Sequence, residues 1–167
     1  MNIYIQQLSN LNTAKIAGKK APHKAILLLA ILDLIETGLI NSPRVELSEQ
    51  LERTFDKNWR KYVGSSLIFR PMVATPFWHM QNEPFYKLYL NNGKELISAK
   101  GQYSIKWLRD NTYATIDNDL YEMMKNETNR ALLRVMLIST YLKGVHTNTD
   151  TMISLLTLLG LFANLAA

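Results

Sequence analysis

The chain has 167 residues, of which 47% are hydrophobic and 20% are charged, so it is long enough for one globular domain with its own core. It contains no cysteine, which excludes disulfides, thiol nucleophiles and cysteine-ligated metal centres. Its formal net charge of +5 is compatible with a polyanionic partner such as DNA, although many soluble proteins carry a similar charge.

The first third of the chain predicts three helices. Residues 2–12 carry an apolar stripe at helical spacing, and residues 22–37 are almost wholly apolar, with Pro22 at a first helical position and Gly38 at a left-handed end. A helix that is apolar on nearly every side is expected in the middle of the core. Ser48 is the predicted N-cap of a third, amphipathic helix. The N-terminal segment lacks a secretory signal pattern, so we expect a cytoplasmic protein.

The rest of the chain predicts a hairpin followed by helices. Residues 85–90 and 95–98 alternate as strands do, and Asn92-Gly93 between them favours a tight turn. The predicted helices that follow are one capped by Ser104 and ending at Asp110, one capped by Asp117 and ending at Lys125, and one that begins at Asn126 or Thr128 and ends near Lys143. The fold class is therefore predicted as α+β, mostly helical, with a small β-hairpin or sheet. Two helices joined through "RVE" make it partly winged-helix-like.

The composition divides the chain near residue 143. Residues 1–143 are predicted to form one domain, and residues 144–167 a polar linker and an uncharged C-terminal helix. That helix, at 151–167, is at the lower edge of membrane-span length and contains Thr, Ser, Asn and Gly. We therefore expect no membrane span and favour a helix that docks on the domain or on another subunit.

A cluster of basic residues surrounds the predicted start of the helix at 22–37. Lys19, Lys20, His23 and Lys24 repel one another there, and an anion at the helix N-terminus would relieve that repulsion. A phosphate group fits such a site. The alternative, that these lysines only keep a loop soluble and that His23 is a structural histidine, stays open.

A second feature is the segment "RPMVATPFWHMQNEPFYK", which is rich in proline and aromatic residues. It predicts an irregular binding loop with an apolar surface and polar tips. Pro76 and His79 are expected to be exposed. Phe77 and Trp78 fit the core as well as they fit a ligand contact.

Motifs for catalysis are missing. No lysine has an acidic residue two positions before it, and the three histidines are too far apart in sequence for a metal-binding HNH pattern. There is no phosphate-binding glycine motif and no GxSxG elbow. We expect no nuclease or other enzyme on this chain, no metal and no cofactor, although a hydrolase site assembled only in space stays open.

Four blocks carry a resemblance to a known family: "APHKAILLLAILDLIE", "ELERTFDKNWRKYV", "TPFWHMQNEPFYKL" and "SIKWLRDNTYATIDNDLYEMM". In this order they resemble the N-terminal domain of HNH-type modification-dependent restriction endonucleases, in particular the sulfur-binding domain that recognises phosphorothioated DNA. The resemblance spans residues 1–143 and does not extend to the HNH half. It implies a DNA-binding module in which a shallow apolar pocket receives the sulfur and basic residues hold the phosphates.

The resemblance also implies site residues. His23 and Lys24 match the family's basic pair at the helix start, and Thr75 and Pro76 match its aromatic–proline step at the sulfur pocket. His79 falls near a pocket position that is usually small and apolar. Because Thr75 is not aromatic and His79 is not small, the sequence leaves open whether the preference for sulfur is retained.

Further phosphate contacts are predicted at Arg70 and at Lys106 and Arg109, which share one face of a helix. The expected partners are DNA, possibly backbone-modified, and a second copy or a separate nuclease subunit bound through residues 151–167. An alternative function also stays open: a scaffold subunit that associates through the apolar C-terminal helix.

Overall fold

The computed structural model describes residues 2–97 and 104–143. The helices are α1 (Ile3–Ser9), α2 (His23–Glu36), α3 (Glu49–Tyr62), α4 (Ala74–His79), α5 (Ile105–Asn111), α6 (Asn118–Lys125) and α7 (Glu127–Leu137). The strands are β1 (Lys15–Ile16), β2 (Lys19–Lys20), β3 (Arg44–Val45), β4 (Tyr86–Leu90) and β5 (Thr112–Ile116). A 3₁₀ turn, Met80–Asn82, follows α4, and a π-helical turn, Ile138–Leu142, continues α7. This is the α+β, mostly helical fold that the sequence predicts.

The predicted linker and C-terminal helix at 144–167 lie outside the described residues, so their structure stays a prediction. None of the helices in residues 2–97 and 104–143 is long and apolar enough to cross a membrane.

Helix α2 is the centre of the core. Residues 25–32 are at most 1% exposed, because α3, α4, α6 and α7 pack around this helix. The prediction of a buried helix at 22–37 is confirmed, and Gly38 ends it with a positive φ of 74°. Surrounding an all-apolar helix on every side removes the most apolar surface from water, which stabilises the fold. The N-terminal residues of α2 can therefore lie at the surface only where the elements packed around it leave a gap.

The predicted strand at 85–90 is confirmed as β4, and the described part of its predicted partner at 95–98 pairs with it briefly, through the Leu96 N–H to the Leu88 carbonyl at 2.8 Å. β4 pairs along its length with β5, and residues 95–97 make only an isolated bridge, Tyr89 to Glu95. The turn itself forms, with Gly93 at φ 84° and its N–H bonded to the Leu90 carbonyl at 2.8 Å. In β5 the buried residues are Thr112, Ala114 and Ile116. Two of these are small or polar, so the alternation that marks a strand is hidden in the sequence.

The main sheet has the strand order β3-β5-β4, and all pairs are antiparallel. Along the chain the elements run α2, β3, α3, α4, β4, α5 and β5, with the 3₁₀ turn between α4 and β4. The last strand lies in the centre of the sheet, and α5 separates it from β4 along the chain. The likeness to a winged-helix unit stays a prediction.

A second, two-stranded sheet was not predicted. β1 and β2 form a hairpin in which Lys15 pairs with Lys20 and Ile16 with Lys19. Ala17 and Gly18 between them have φ values of 51° and 76°, as a two-residue type I′ turn requires. Each strand has only two residues, too few to give a sequence pattern.

Helix caps predicted from the sequence are confirmed at Ser48, Ser104 and Asn126. Each side-chain oxygen accepts a backbone N–H of the first helical turn, at 3.2, 3.1 and 3.0 Å respectively. Asp117 precedes α6 as predicted but makes no such bond, and instead accepts the Tyr4 hydroxyl at 3.2 Å.

Substituting Ser48 tests the cap of α3. Ser48→Ala removes the acceptor for the Leu51 N–H, so the free energy of unfolding is expected to fall by about 1 kcal/mol in urea titrations. Ser65→Ala is the matched control, because Ser65 is exposed and its side chain makes no hydrogen bond within the described residues. Equal effects of the two changes would contradict the assigned cap.

Candidate nucleic-acid interface

A pocket of about 440 Å³ opens where the flanks of the β1–β2 hairpin, the start of α2 and helix α4 meet. Its lining residues are Asn12, Thr13, Ala14, Ala21, His23, Lys24, Thr75, Pro76, His79 and Asn82. We call it the α4 pocket. It brings together the predicted basic pair at the start of α2 and all three residues predicted for a sulfur pocket, although the two groups are about fifty residues apart in sequence.

The α4 side of the pocket is helical, where the sequence predicted an irregular loop. Pro76 fits the first turn of this helix because its missing N–H would have no intrahelical partner there. Thr75 and His79 are exposed and lie one turn apart on the same face. The expected exposure of His79 is confirmed, and that of Pro76 is wrong, since Pro76 is buried although it still lines the pocket.

The other face of α4 is anchored in the core. Phe77 and Trp78 are 0% and 6% exposed, and the buried hydroxyl of Tyr86 on β4 donates to the Phe77 carbonyl at 3.0 Å. Both aromatic residues are therefore core residues, one of the two alternatives that the sequence left open. This packing fixes the direction in which Thr75 and His79 project.

His23 forms the wall between the pocket and the loop before α4. Its Nε2 lies 2.8 Å from the Arg70 carbonyl oxygen, and since a carbonyl only accepts, Nε2 carries the proton and donates. The Trp59 and Phe69 rings pack at 4.8 and 6.0 Å between centroids. Burial lowers the pKa of His23 despite the bond to Arg70. The ring of His23 is therefore neutral at neutral pH, and its predicted contact with a phosphate stays a prediction.

Lys24 is buried at the back of the pocket, with 6% exposure, and its ammonium donates to Glu83 Oε1. Glu83 is 5% exposed, and the same oxygen accepts the Asn12 N–H at 3.0 Å. The charge of Lys24 is therefore balanced inside the protein. Its predicted contact with a phosphate stays a prediction, and Glu83 is a site residue that sequence reasoning missed.

Exposed positive charge lies beside the pocket on the β1–β2 hairpin. Ala14 and Ala21, which flank the hairpin, line the pocket and are joined by an N–H to carbonyl bond of 2.8 Å. Lys19 is exposed, and Lys20 Nζ lies 5.1 Å from the centroid of the Tyr141 ring. Lys15, which the sequence analysis missed, pairs with Lys20 across the hairpin.

Arg70 is exposed and lies next to His23, whose ring donates to its carbonyl. Within the described part of the chain, the side chains of Lys15, Lys19, Lys20 and Arg70 make no ion pair. These four cations are therefore available to an anionic ligand, in contrast to Lys24.

Lys106 and Arg109 are not brought into the pocket. Lys106 pairs with Asp110 at 2.6 Å, and Arg109 pairs with Glu52 and donates to the Leu47 carbonyl at 3.2 Å. Both charges are balanced by neighbours on the protein. Their predicted phosphate contacts stay predictions that the geometry does not support.

A second pocket, of about 580 Å³, adjoins the first and shares Thr75 and His79 with it. Its other walls include Trp59, Met72 and Arg60, together with two carboxylates, Glu52 and Asp56. Burial and the charge of Glu52 raise the pKa of Asp56, while Arg60 lowers it. The charges of this wall balance, because Glu52 pairs with Arg109 and Arg60 offsets Asp56. The α4 pocket is distinguished from it by the residues at the start of α2 and at the flanks of the hairpin. Within residues 2–97 and 104–143, no three histidine or acidic side chains form a metal site.

Comparison with known proteins points to a single family. The family model described as "ScoMcrA-like, DNA sulfur-binding domain" matches residues 2–162. A solved structure, "Sulfur binding domain of ScoMcrA complexed with phosphorothioated DNA", superposes with a TM-score of 0.65 at 18% sequence identity, covering 95% of this chain and 99% of that one. At this identity the likeness shows a shared fold. A search among curated proteins found no match.

Removing the Lys24 ammonium tests the buried ion pair. Lys24→Ala leaves Glu83 as an uncompensated buried carboxylate, so the free energy of unfolding is expected to fall by about 3–5 kcal/mol. Lys19→Ala, on the exposed hairpin, is the control and should change it by no more than about 0.5 kcal/mol. Urea titration measures both. A loss below about 1 kcal/mol for Lys24→Ala would contradict a buried pair.

The lowered pKa of His23 predicts a pH dependence. The unfolded chain, with an ordinary histidine pKa of 6.5, binds this proton more readily than the folded protein, so stability is lost as the pH falls below that value. His23→Gln keeps a donor for the Arg70 carbonyl but does not titrate. Thermal unfolding from about pH 7.5 to about pH 5 should therefore show a smaller loss for His23→Gln than for the wild type. An unchanged pH profile for His23→Gln would refute the assignment.

Proposed function

Since the chain belongs to the family of ScoMcrA-like DNA sulfur-binding domains, we propose that it binds DNA with a phosphorothioate in its backbone and that the α4 pocket receives the sulfur. One observation carries this proposal. The pocket joins His23 and Lys24 to Thr75, Pro76 and His79, and its wall includes Ala14 and Ala21, which flank a hairpin whose lysines make no ion pair among the described residues.

The chemistry of the pocket wall suits sulfur. A sulfur that replaces a non-bridging oxygen is larger, more polarisable and less strongly hydrated, so moving it out of water costs less. The Pro76 ring, the Thr75 methyl group and the neutral His23 ring offer it dispersion contacts. A pocket of about 440 Å³ is many times the roughly 30 Å³ that one water molecule occupies. It therefore has room for part of the sugar–phosphate backbone as well as the sulfur atom.

The hairpin lysines and Arg70 supply the attraction that is common to all DNA. Contacts from such cations to phosphates release counterions and give affinity without reading the sequence. Because the hairpin flanks line the pocket and the Arg70 carbonyl accepts from His23 in its wall, these cations would hold the backbone next to the modified linkage. In this arrangement the charge positions the strand, and the pocket distinguishes sulfur from oxygen.

We also propose the setting of this activity. The resemblance to recognition domains of HNH endonucleases supports a role in a restriction system that acts on DNA in the cytoplasm, where the module recognises DNA and a nuclease subunit cleaves it. Association with that subunit or with a second copy through residues 151–167 remains part of the proposal. The described residues contain no observation that favours a scaffold function over DNA recognition.

Binding to matched duplexes tests the proposal. A duplex with one phosphorothioate should bind more tightly than its unmodified twin, as measured by fluorescence anisotropy with several flanking sequences. The double substitution Lys19→Gln and Lys20→Gln should weaken both duplexes alike and reduce the slope of log K against log salt by up to about 1.8, or about 0.9 for each lost phosphate contact.

Lys87→Gln is the matched control for the charge change, because Lys87 is exposed on β4 and does not line the α4 pocket. It should leave both affinities unchanged. Equal binding of modified and unmodified DNA by the wild type would refute sulfur recognition. Absence of binding to either duplex at low salt would refute the DNA-binding function itself.

A further inference from the structure

We propose that Glu83 determines how strongly the α4 pocket prefers sulfur to oxygen, by cancelling the charge of Lys24 so that the pocket is apolar and neutral. This inference rests on the proposed function and assigns a new role to a residue outside the pocket. Glu83 does not line the pocket and acts through Lys24, so it is a positioning residue rather than a ligand contact.

The geometry places the ion pair directly behind the ligand space. Lys24 lines the pocket, and its side chain is only 7% exposed, against 5% for Glu83. Glu83 Oε1 also accepts the Asn12 N–H at 3.0 Å, and Asn12 is itself part of the wall. The carboxylate therefore holds both the ammonium and the opposite wall of the pocket.

The remaining ionisable groups of the described wall do not restore a fixed positive charge. His23 donates Nε2–H to the Arg70 carbonyl and packs against Trp59 and Phe69, which favours its neutral form. His79 is exposed where it lines the pocket. With Lys24 and Glu83 cancelling each other, the back of the pocket has no net charge, and the uncancelled cations are on the hairpin outside it.

A neutral pocket distinguishes sulfur from oxygen better than a positively charged pocket would. A phosphate oxygen gives up strong hydration on entry, and only a charge-assisted hydrogen bond to a free ammonium would compensate it fully. The less hydrated sulfur gives up less and gains dispersion contacts instead. If Lys24 were uncancelled, oxygen would gain more than sulfur, and the preference would shrink. Lysines outside the pocket attract both backbones equally, so they do not alter this difference.

The buried pair is not explained by stability alone. Two charges taken out of water lose about as much hydration energy as they recover from each other, and an apolar pair of similar size would stabilise the fold equally well. Moreover, Lys24 is in the first turn of α2, where the helix dipole already disfavours a cation. A carboxylate that cancels it, without itself entering the pocket, fits a role in setting the pocket's charge.

The substitution Glu83→Gln tests this inference, because the amide oxygen can still accept from Asn12 and Lys24 while the negative charge is lost. Affinity for the unmodified duplex should rise more than affinity for the phosphorothioate duplex, and their ratio should fall by about tenfold. The salt slope for the unmodified duplex should also steepen by about 0.9, since Lys24 becomes a phosphate contact. A loss of packing alone would not produce a steeper slope.

The double variant Lys24→Gln with Glu83→Gln is the control, and it keeps the inference testable if the single variant does not fold. It has a neutral pocket without an ion pair, so it should retain the wild-type ratio. The inference is overturned if Glu83→Gln keeps the wild-type ratio of affinities for the phosphorothioate and unmodified duplexes. It is also overturned if the double variant has a lower ratio than the wild type. Failure of the proposed function would look different from either of these outcomes, because the wild type itself would then bind the two duplexes with equal affinity.

Discussion

The ion pair between Lys24 and Glu83 is the interaction on which the arrangement of the site depends. It joins the first turn of the central helix α2 to the chain just before β4, and through the Asn12 N–H it also holds the segment that leads into the lysine hairpin. Two wall residues of the α4 pocket, Lys24 and Asn12, are therefore held by one carboxylate that lies behind them. Both charges are buried, so each is stabilised by the other. The segments that carry Lys24 and Glu83 cannot separate without leaving a buried ion unpaired.

This constraint separates two functions in space. Positive charge that is free to attract a nucleic acid is at the rim, on the hairpin and at Arg70, while the inside of the pocket is neutral and bounded by proline, threonine and histidine. Long-range attraction is the same for any DNA backbone, and the short-range fit depends on the hydration and size of a single atom. A binding module for a chemically modified backbone needs free positive charge and a neutral pocket. The two have to lie close together, with the charge outside the pocket.

Local signals in the sequence predicted much of the fold, including α2, the capped helices and strand β4. The resemblance also named Thr75, Pro76 and His79 together with His23 and Lys24, which the structure gathers in one pocket. What could not be predicted depends on contacts between distant residues. The neutral state of His23 results from Trp59, Phe69 and the Arg70 carbonyl, and the neutralisation of Lys24 comes from a residue 59 positions away. Similarly, β5 is a strand because of its partners, since its buried positions include a threonine and an alanine.

The central claim, that this pocket contacts the sulfur itself, is tested most directly with the two diastereomers of a single phosphorothioate linkage. They have the same charge and composition and differ only in which non-bridging position carries sulfur, so electrostatic attraction to the hairpin is identical for both. The account predicts that one isomer binds about tenfold more tightly, equivalent to roughly 1.4 kcal/mol of sulfur contact, and that the other binds like unmodified DNA. Equal affinities of the two isomers would contradict it.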